Sequence, residues 1–211
     1  MAKTLCMGLL AIQGDFPSHE RDLASRQIPC VRVTRPEHLE GLSGIILPGG
    51  ESSVMLKLLT EEGLLEPLVA RIQEGLPTLA TCAGMILLAR DVHSPTQKSL
   101  GLLDIAVQRN GYGRQIHSGV HRVTGQRGFP DCEGVFIRAP RMEQSGEDVE
   151  ILGTLGSDPV LIRQGRILAA AFHPELSETH PAIDLFLHMI DPNIGRTPPK
   201  DDFGAILGLG K

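Results

Sequence analysis

Short apolar runs alternate with helical segments through the first half of the chain. Runs typical of buried strands lie at 7–12, 29–33, 44–47 and 78–81. A polar helix is expected from about Ser18, apolar residues recur at helical spacing at 52–59 and at 64–72, and a further helix is expected to begin at 85–89. This alternation favours parallel strands, because each helix carries the chain back across the sheet. We therefore expect an α/β fold in which helices cover a parallel sheet.

The second half contains shorter strand-like runs broken by Gly, Pro and Asp. They lie at 105–109, 115–123, 135–138, 149–155, 159–163 and 167–172, before a last helix at 181–190. These runs are expected to finish the sheet and to add a small antiparallel extension. The expected fold is a flavodoxin-like three-layer sandwich with a mostly parallel central sheet and helices on both faces. Residues 1–190 form one domain, and 191–211, with three prolines and four glycines, form a loose tail.

Composition excludes several function classes. A net charge of −5, 3% aromatic residues and no run of Lys or Arg argue against nucleic acid as a partner. No apolar stretch approaches the ~18–20 residues that cross a bilayer, which argues against a membrane protein. The four cysteines are scattered without a C-x-x-C pair, so we expect reduced thiols rather than a zinc or redox motif. The apolar run at 5–12 lacks a following signal-peptide cleavage site, so a cytoplasmic location is expected.

Cys82 lies between the strand-like run at 78–81 and the helical run that begins at Met85, with small residues on both sides. A thiol at a sharp strand-to-helix turn lies near a helix N-terminus, where the helix dipole and free backbone N–H groups favour the reactive thiolate. The alternative interpretation is an ordinary core residue, since free cysteine is among the most buried residue types.

The tripeptide His173-Pro174-Glu175 supplies a base and a carboxylate. In an extended segment residues i and i+2 project to the same side, and the proline between them restricts the backbone. A strand-end turn with a capping glutamate is the alternative. In one chain with Cys82, the tripeptide predicts a hydrolase with a Cys-His-Glu triad.

Six segments then carry a resemblance to a known family. They are Leu-Ala-Ile-Gln-Gly at 10–14, Leu-Pro-Gly-Gly-Glu-Ser at 47–52, Thr-Cys-Ala-Gly-Met at 81–85, Gln-Arg-Asn at 108–110 with Gly-Arg-Gln at 113–115, Val-Phe-Ile-Arg-Ala-Pro at 135–140, and Phe-His-Pro-Glu-Leu at 172–176. In this order they resemble class I (triad-type) glutamine amidotransferases, and more closely the glutaminase subunits of pyridoxal 5'-phosphate synthase. The cysteine and the His-Pro-Glu segment are common to all triad glutaminases. The Pro-Gly-Gly-Glu-Ser and Phe-Ile-Arg-Ala-Pro strings point to the subfamily.

The resemblance implies that Cys82 is the nucleophile, His173 the general base and acid, and Glu175 the group that fixes the histidine tautomer. It implies that substrate glutamine is held by Gly50, Glu51, Ser52, Arg109, Ile137 and Arg138. The oxyanion site is expected at Gly50, Ala83 and Gln13, where glycine lets the backbone approach the ligand. No cofactor and no metal are expected. The implied partner is a barrel-type synthase subunit that takes the ammonia.

Other interpretations stay open. Taken singly, Gly49-Gly50 is a turn signal, Arg109 and Arg138 suit surface ion pairs, and Gln13 suits a strand end. The chain also suits the glutaminase of another amidotransferase, such as imidazole glycerol phosphate synthase. A third interpretation is a non-catalytic flavodoxin-like module whose loop at 48–52 holds a phosphate. That loop lacks a known phosphate-binding string, and its acid would repel phosphate.

Three positions or segments depart from the family pattern. Ala80 stands where glycine is usual before the nucleophile, the segment at 115–121 replaces a run that more often contains an aspartate and a Phe-Glu pair, and the tail at 191–211 has no counterpart. His117 and His121 do not suggest a metal site, because on an extended strand they lie about 13 Å apart. Because the segment at 115–121 departs from the family pattern, its contacts with a partner stay open.

Overall fold

The computed structural model describes residues 5–112 and 118–194, which form twelve strands and five α-helices. The strands are β1 (Met7–Leu10), β2 (Cys30–Val33), β3 (Gly44–Leu47), β4 (Thr78–Thr81), β5 (Ala89–His93), β6 (Leu103–Gln108), β7 (Gly119–Gly125), β8 (Cys132–Phe136), β9 (Arg141–Ser145), β10 (Glu150–Leu155), β11 (Asp158–Gln164) and β12 (Ile167–Ala170). The helices are α1 (Phe16–Ser25), α2 (Ser52–Glu61), α3 (Leu65–Gln73), α4 (Ala83–Leu88) and α5 (Pro181–Ile190). No helix within these described ranges is both long and apolar enough to cross a membrane.

Nine strands form one mixed sheet in the order β2-β1-β3-β4-β12-β11-β10-β7-β8. The strands from β2 to β12 pair in parallel, and those from β12 to β8 pair antiparallel. Strands β1, β3, β4 and β12 are buried along their whole length, as expected of parallel strands covered on both faces. A separate sheet has the order β5-β6-β9.

The antiparallel part is larger than the small extension predicted from the sequence, so the central sheet is mixed rather than mostly parallel. The reason is the short connections in the second half of the chain. Gly156 and Gly165 have φ angles of +60° and +56° and lie in the turns that join β10 to β11 and β11 to β12. Such tight turns can join only antiparallel neighbours.

Two strands of the separate sheet were not predicted. The helix expected to begin at 85–89 covers Ala83–Leu88, and the chain enters β5 at Ala89. Most side chains of β5 and β9 are exposed, so neither strand carries the apolar alternation that identifies a half-buried strand. The predicted loose tail lies outside the described residues beyond Ile194, and so do residues 115–117 of the atypical segment.

The strand order reverses between β1 and β3, since the chain adds β2 on one side of β1 and β3 on the other. In open α/β sheets a reversal of this kind leaves a crevice beyond the carboxyl ends of the strands. The residues that follow β1, β3, β4 and β12 therefore meet at one edge of the sheet. These four strands are followed by Gln13-Gly14, Gly49-Gly50, Cys82 and His173.

Candidate active site

A cavity of about 300 Å³ opens at this edge of the sheet. Nine of the residues predicted to form the site line it: Gln13, Gly50, Glu51, Ser52, Cys82, Arg109, Ile137, Arg138 and His173. Ala83 and Glu175, the other two, lie directly behind the lining at 1% and 6% exposure. The structure thus gathers residues from most of the length of the chain around Cys82.

Cys82 occupies the turn between β4 and α4 with φ +46° and ψ −101°. A cysteine rarely adopts a positive φ, so this backbone is strained and must be held by its surroundings. Its N–H donates to the Ala170 carbonyl at 2.8 Å. At Gly84, an added Cβ would lie 2.3 Å from the Leu47 carbonyl oxygen, so the turn packs tightly on β3. The chain therefore places the thiol at a sharp turn, as predicted from the sequence. The helix that follows it, α4, spans only six residues.

His173 follows β12, which lies beside β4 with Thr81 opposite Ala170. Its N–H donates to the Val135 carbonyl at 2.9 Å. Its ring Nδ1 lies 2.8 Å from Oε1 of Glu175, which belongs to the 3₁₀ turn Pro174–Leu176. The Cys82 thiol also interacts with this imidazole, and Nε2 is the ring nitrogen that the Glu175 contact leaves available. The order Cys82, His173, Glu175 is the arrangement of a nucleophile, a base and a group that orients the base.

The surroundings of His173 and Glu175 favour the charged form of both side chains. Burial disfavours the imidazolium, yet hydrogen bonds to Cys82 and Glu175 outweigh it and raise the pKa of His173 to about 10. Burial also opposes ionisation of Glu175, but the neighbouring His19 and His173 lower the pKa of its carboxyl. At neutral pH the arrangement therefore holds a protonated His173 between a carboxylate and the Cys82 sulfur.

Gly49 provides the wall against which the His173 ring packs. A Cβ added at Gly49 would lie 2.3 Å from Cε1 of His173. We expect Gly49→Ala to displace the ring and lower kcat by about 100-fold, because a shift of the base of about 1 Å is enough for such a loss. Enzymatic release of glutamate from glutamine, measured beside the thermal unfolding of the same variant, checks this.

Gly101→Ala is the matched control for Gly49→Ala. Gly101 has φ +66° with no atom within 4 Å of an added Cβ. The Gly101→Ala variant should lose about 1 kcal/mol of unfolding free energy through backbone strain and keep the turnover of the wild type. Equal turnover in Gly49→Ala and wild type would contradict the packing argument.

Gln13 lies against the loop that follows β3, residues 49–51, which we call the glycine loop. Its Oε1 accepts a hydrogen bond from the Glu51 N–H at 2.9 Å, and the Asp15 N–H donates to the Gly49 carbonyl at 2.8 Å. In this arrangement the side-chain oxygen of Gln13 is an acceptor, and only its amide NH₂ remains to donate to an oxyanion. Ala83 is the first residue of α4, so its N–H has no partner within the helix. The oxyanion roles of Gly50, Ala83 and Gln13 remain predictions.

Opposite charges pair at the wall of the cavity. An Arg109 guanidinium nitrogen pairs with Oε1 of Glu51, and another donates to Oε1 of Gln97 at 2.7 Å. Ser52 Oγ donates to the same Gln97 oxygen at 3.1 Å. Burial opposes ionisation of Glu51, but hydrogen bonds from Ser53 and Arg109 lower the pKa of its carboxyl. The network fixes three of the residues predicted to hold substrate.

Ile137 and Arg138 form the outer wall. The Cys82 sulfur lies 3.8 Å from the Ile137 carbonyl oxygen, and the Ile137 side chain is 38% exposed. Arg138 adopts φ +47°, a second strained residue beside the thiol. Strained backbone of this kind clusters at functional sites because the surrounding structure has to maintain it.

Sequence reasoning missed two residues of this region, Gln97 and His19. Gln97 joins Ser52 to Arg109, and His19 Nε2 lies 3.4 Å from Oε2 of Glu175. Neither residue belongs to a local motif, and each contacts residues of other segments of the chain. No local sequence pattern therefore identifies them. Among the described residues, no group of three or more His, Cys, Asp or Glu side chains could hold a metal ion, and His117 lies outside them.

Comparison with known proteins gives consistent matches. Residues 9–191 match the model of the SNO glutamine amidotransferase family. The pyridoxal 5'-phosphate synthase subunit PdxT of Koribacter versatilis is 45% identical over 186 residues, which cover 87% of this chain and 95% of that protein. The PdxT of Pelotomaculum thermopropionicum is 49% identical over 175 residues, covering 81% and 88%.

Solved structures give the same result. A crystal structure described as a glutamine amidotransferase superposes with a TM-score of 0.81 at 44% identity, covering 87% of this chain and 98% of the other. A glutamine amidotransferase from Thermotoga maritima has a TM-score of 0.58 at 15% identity, covering 83% and 77%. The second likeness extends to the fold alone.

Proposed function

This chain belongs to the SNO glutamine amidotransferase family, and we propose that it is the glutaminase subunit of a pyridoxal 5'-phosphate synthase. It hydrolyses glutamine to glutamate and ammonia. The observation that carries the proposal is the row Cys82, His173 and Glu175, with Nδ1 of the histidine 2.8 Å from the carboxylate, at the wall of a cavity that also holds Arg109 and Glu51. Relatives that are 45% and 49% identical and are named as this subunit support the choice of pathway.

The chemistry follows from the positions of the three side chains. The Cys82 thiolate attacks the carboxamide carbon of glutamine, and the carbonyl oxygen becomes an oxyanion. His173, protonated beside the thiolate, gives its proton to the departing ammonia and leaves a thioester on the sulfur. Water then attacks the thioester while His173 takes its proton, and the C–S bond breaks, which releases glutamate and restores the thiolate beside protonated His173. Glu175 keeps Nδ1 of the histidine protonated throughout, so Nε2 is the nitrogen that exchanges protons.

The substrate is an amino acid with one positive and one negative group. Arg109 suits its α-carboxylate and Glu51 suits its α-ammonium, because a buried charge is costly unless an opposite charge or hydrogen bond meets it. Ser52, Ile137 and Arg138 complete the walls, and the peptide at Gly50 with the Ala83 N–H receives the oxyanion. Gln13 contributes by holding the Glu51 N–H.

Ammonia is useful only to a partner. In bulk water at neutral pH it mostly becomes ammonium, which has lost its nucleophilic lone pair. We assign the partner as a barrel-type synthase subunit that joins ammonia to sugar phosphates within a hetero-oligomeric complex.

The location and the fold complete the proposal. A reducing, cytoplasmic location is supported by the free state of Cys6, Cys30, Cys82 and Cys132. The reversal of strand order between β1 and β3 supports a flavodoxin-like, three-layer arrangement of the parallel half.

Glutamate release, with and without the synthase subunit, tests the proposed function. We expect turnover to rise about tenfold or more when the synthase is added, because a glutaminase that closes its oxyanion site only in the complex couples hydrolysis to demand. Bovine serum albumin at the same concentration is the control for unspecific stabilisation. Equal turnover alone and with the synthase contradicts the coupling, and no turnover in either state contradicts glutaminase activity.

A further inference from the structure

His19 lies on the buried face of α1 and is 1% exposed. Its Nε2 is 3.4 Å from Oε2 of Glu175 and 3.3 Å from Oγ1 of Thr81. We propose that His19 is a positioning residue of the reaction, acting through Glu175 as a second imidazole on the far side of the carboxylate. The inference rests on the proposed glutaminase function, since it concerns the same row of side chains.

The need for such a residue follows from the burial of Glu175. Its side chain is fully shielded from solvent, and Oε1 is occupied by His173 at 2.8 Å. No donor among the described residues reaches Oε2 in full hydrogen-bond geometry, so His19 at 3.4 Å is the group that offsets its burial. A buried carboxylate with one oxygen unsupported is costly and free to rotate. His19 therefore fixes the orientation of the Glu175 carboxylate in which Oε1 contacts the His173 ring.

His19 does this as a neutral donor. It lies near Asp15 and Asp22 at the start and on the same face of α1, and near Glu175 and His173 from the other side. Burial lowers the pKa of His19 despite the three carboxylates. A neutral ring with its proton on Nε2 can donate to Oε2 of Glu175 and leaves Nδ1 as an acceptor. The negative charge of Glu175 then remains available to His173.

The position of α1 explains how the contact is maintained. The helix begins directly after the Gln13-Gly14 segment, and an added Cβ at Gly14 would lie 2.1 Å from the Gly49 carbonyl oxygen. The N-terminal end of α1 is thus fixed against the glycine loop. At the other end, Arg26 Nε donates to Asp22 at 3.0 Å and the guanidinium also pairs with Asp184 of α5. His19 is carried by a helix that is held at both ends.

The test compares His19→Leu and His19→Gln in the complex with the synthase subunit, with glutamate release as the assay. Leucine fills the space without a donor, whereas the Nε2 of glutamine is the same number of bonds from Cβ as the Nε2 of histidine. We expect His19→Leu to lower kcat by about 10- to 100-fold with KM within about twofold of wild type. His19→Gln should recover most of kcat. Thermal unfolding of each variant reports whether it is folded.

A double-mutant cycle separates positioning from a structural role. If His19 acts through Glu175, His19→Leu should lower kcat by less than about threefold in a Glu175→Gln background, since the interaction is already lost. A structural role predicts the same factor in both backgrounds. Thr81→Val removes the other partner of His19 and should leave kcat near that of wild type.

The outcomes are distinct. A wild-type complex without glutaminase activity overturns the proposed function itself. An active wild type overturns the role of His19 if His19→Leu matches it, if His19→Gln fails to recover activity while folded, or if the two backgrounds show equal factors. Should His19→Leu not fold, the His19→Gln variant decides, because it has to retain activity in the wild-type background.

Discussion

Replacing Cys82 with alanine should lower glutamine hydrolysis by at least about 10⁴-fold, because no other described group at the cavity can form the thioester. The substitution removes only a sulfur atom from a residue that is 6% exposed, so the fold should persist. Glutamate release in the presence of the synthase subunit is the measurement. Turnover retained in Cys82→Ala would exclude this residue as the nucleophile.

The other cysteines are the matched controls. Burial raises the pKa of Cys132 to about 11 and also raises the pKa of Cys30, so both thiols are poor nucleophiles at neutral pH. Substitution of Cys6, Cys30 or Cys132 by serine should keep most of the turnover. A glutamine-like electrophile should label wild type at one position and leave Cys82→Ala unlabelled.

The same variant tests the division of labour with the synthase. Mixed with that subunit, Cys82→Ala should fail to support pyridoxal 5'-phosphate formation from glutamine, yet support it from a high concentration of ammonium salt. Cofactor formation from glutamine with this variant, or no formation from ammonium, would contradict the transfer of ammonia between subunits.

Glu175→Gln should lower kcat by about 10³- to 10⁴-fold while the protein remains folded. Glutamine has nearly the same shape, but its NH₂ can donate to Nδ1 of His173 and so favour the tautomer whose Nε2 already carries a proton. That tautomer cannot accept a proton from Cys82. The neutral amide also removes one of the two partners that raise the pKa of His173, so a smaller fraction of His173 is protonated near neutral pH.

Steady-state kinetics and the rate of Cys82 alkylation at several pH values measure both effects of this substitution. Glu178→Gln is the control, since Glu178 is an exposed carboxylate three residues further along the chain. It should match wild type in both assays. Wild-type kcat in Glu175→Gln would refute the orienting role.

The strands that position the site were predictable, and those of the separate sheet were not. Strands β1, β3, β4 and β12 consist mostly of apolar and small residues, because they lie inside the sheet and are buried along their whole length. Strand β9 has the sequence Arg-Met-Glu-Gln-Ser and buries only Met142, so its pairing with β6 depends on backbone hydrogen bonds that no side-chain pattern announces. The size of the antiparallel part was not predicted, because it depends on the short turns that join consecutive strands in the second half of the chain.

The residues of the candidate site also fall into those that the sequence could predict and those that it could not. Cys82 and the His-Pro-Glu segment could be predicted as site residues because each local pattern limits the chemistry that its residues can perform. The ion pair between Arg109 and Glu51 was predicted only as two residues that hold one substrate. Gln97 and His19 act through residues on other elements, at positions where the sequence around them is unremarkable. Contacts of that kind follow from the folded arrangement and not from a motif.

The last strand among the described residues, β12, lies inside the sheet between β4 and β11. The proposed nucleophile, Cys82, follows β4 and the proposed base, His173, follows β12, so two residues far apart in sequence depend on a single pair of neighbouring strands. During synthesis, a chain that has reached residue 112 already carries Cys82, the glycine loop and Arg109, but it has no base. We expect glutaminase activity to begin only after β12 has been made and inserted. A nascent or truncated subunit therefore consumes no glutamine, and activity reports the completion of the fold.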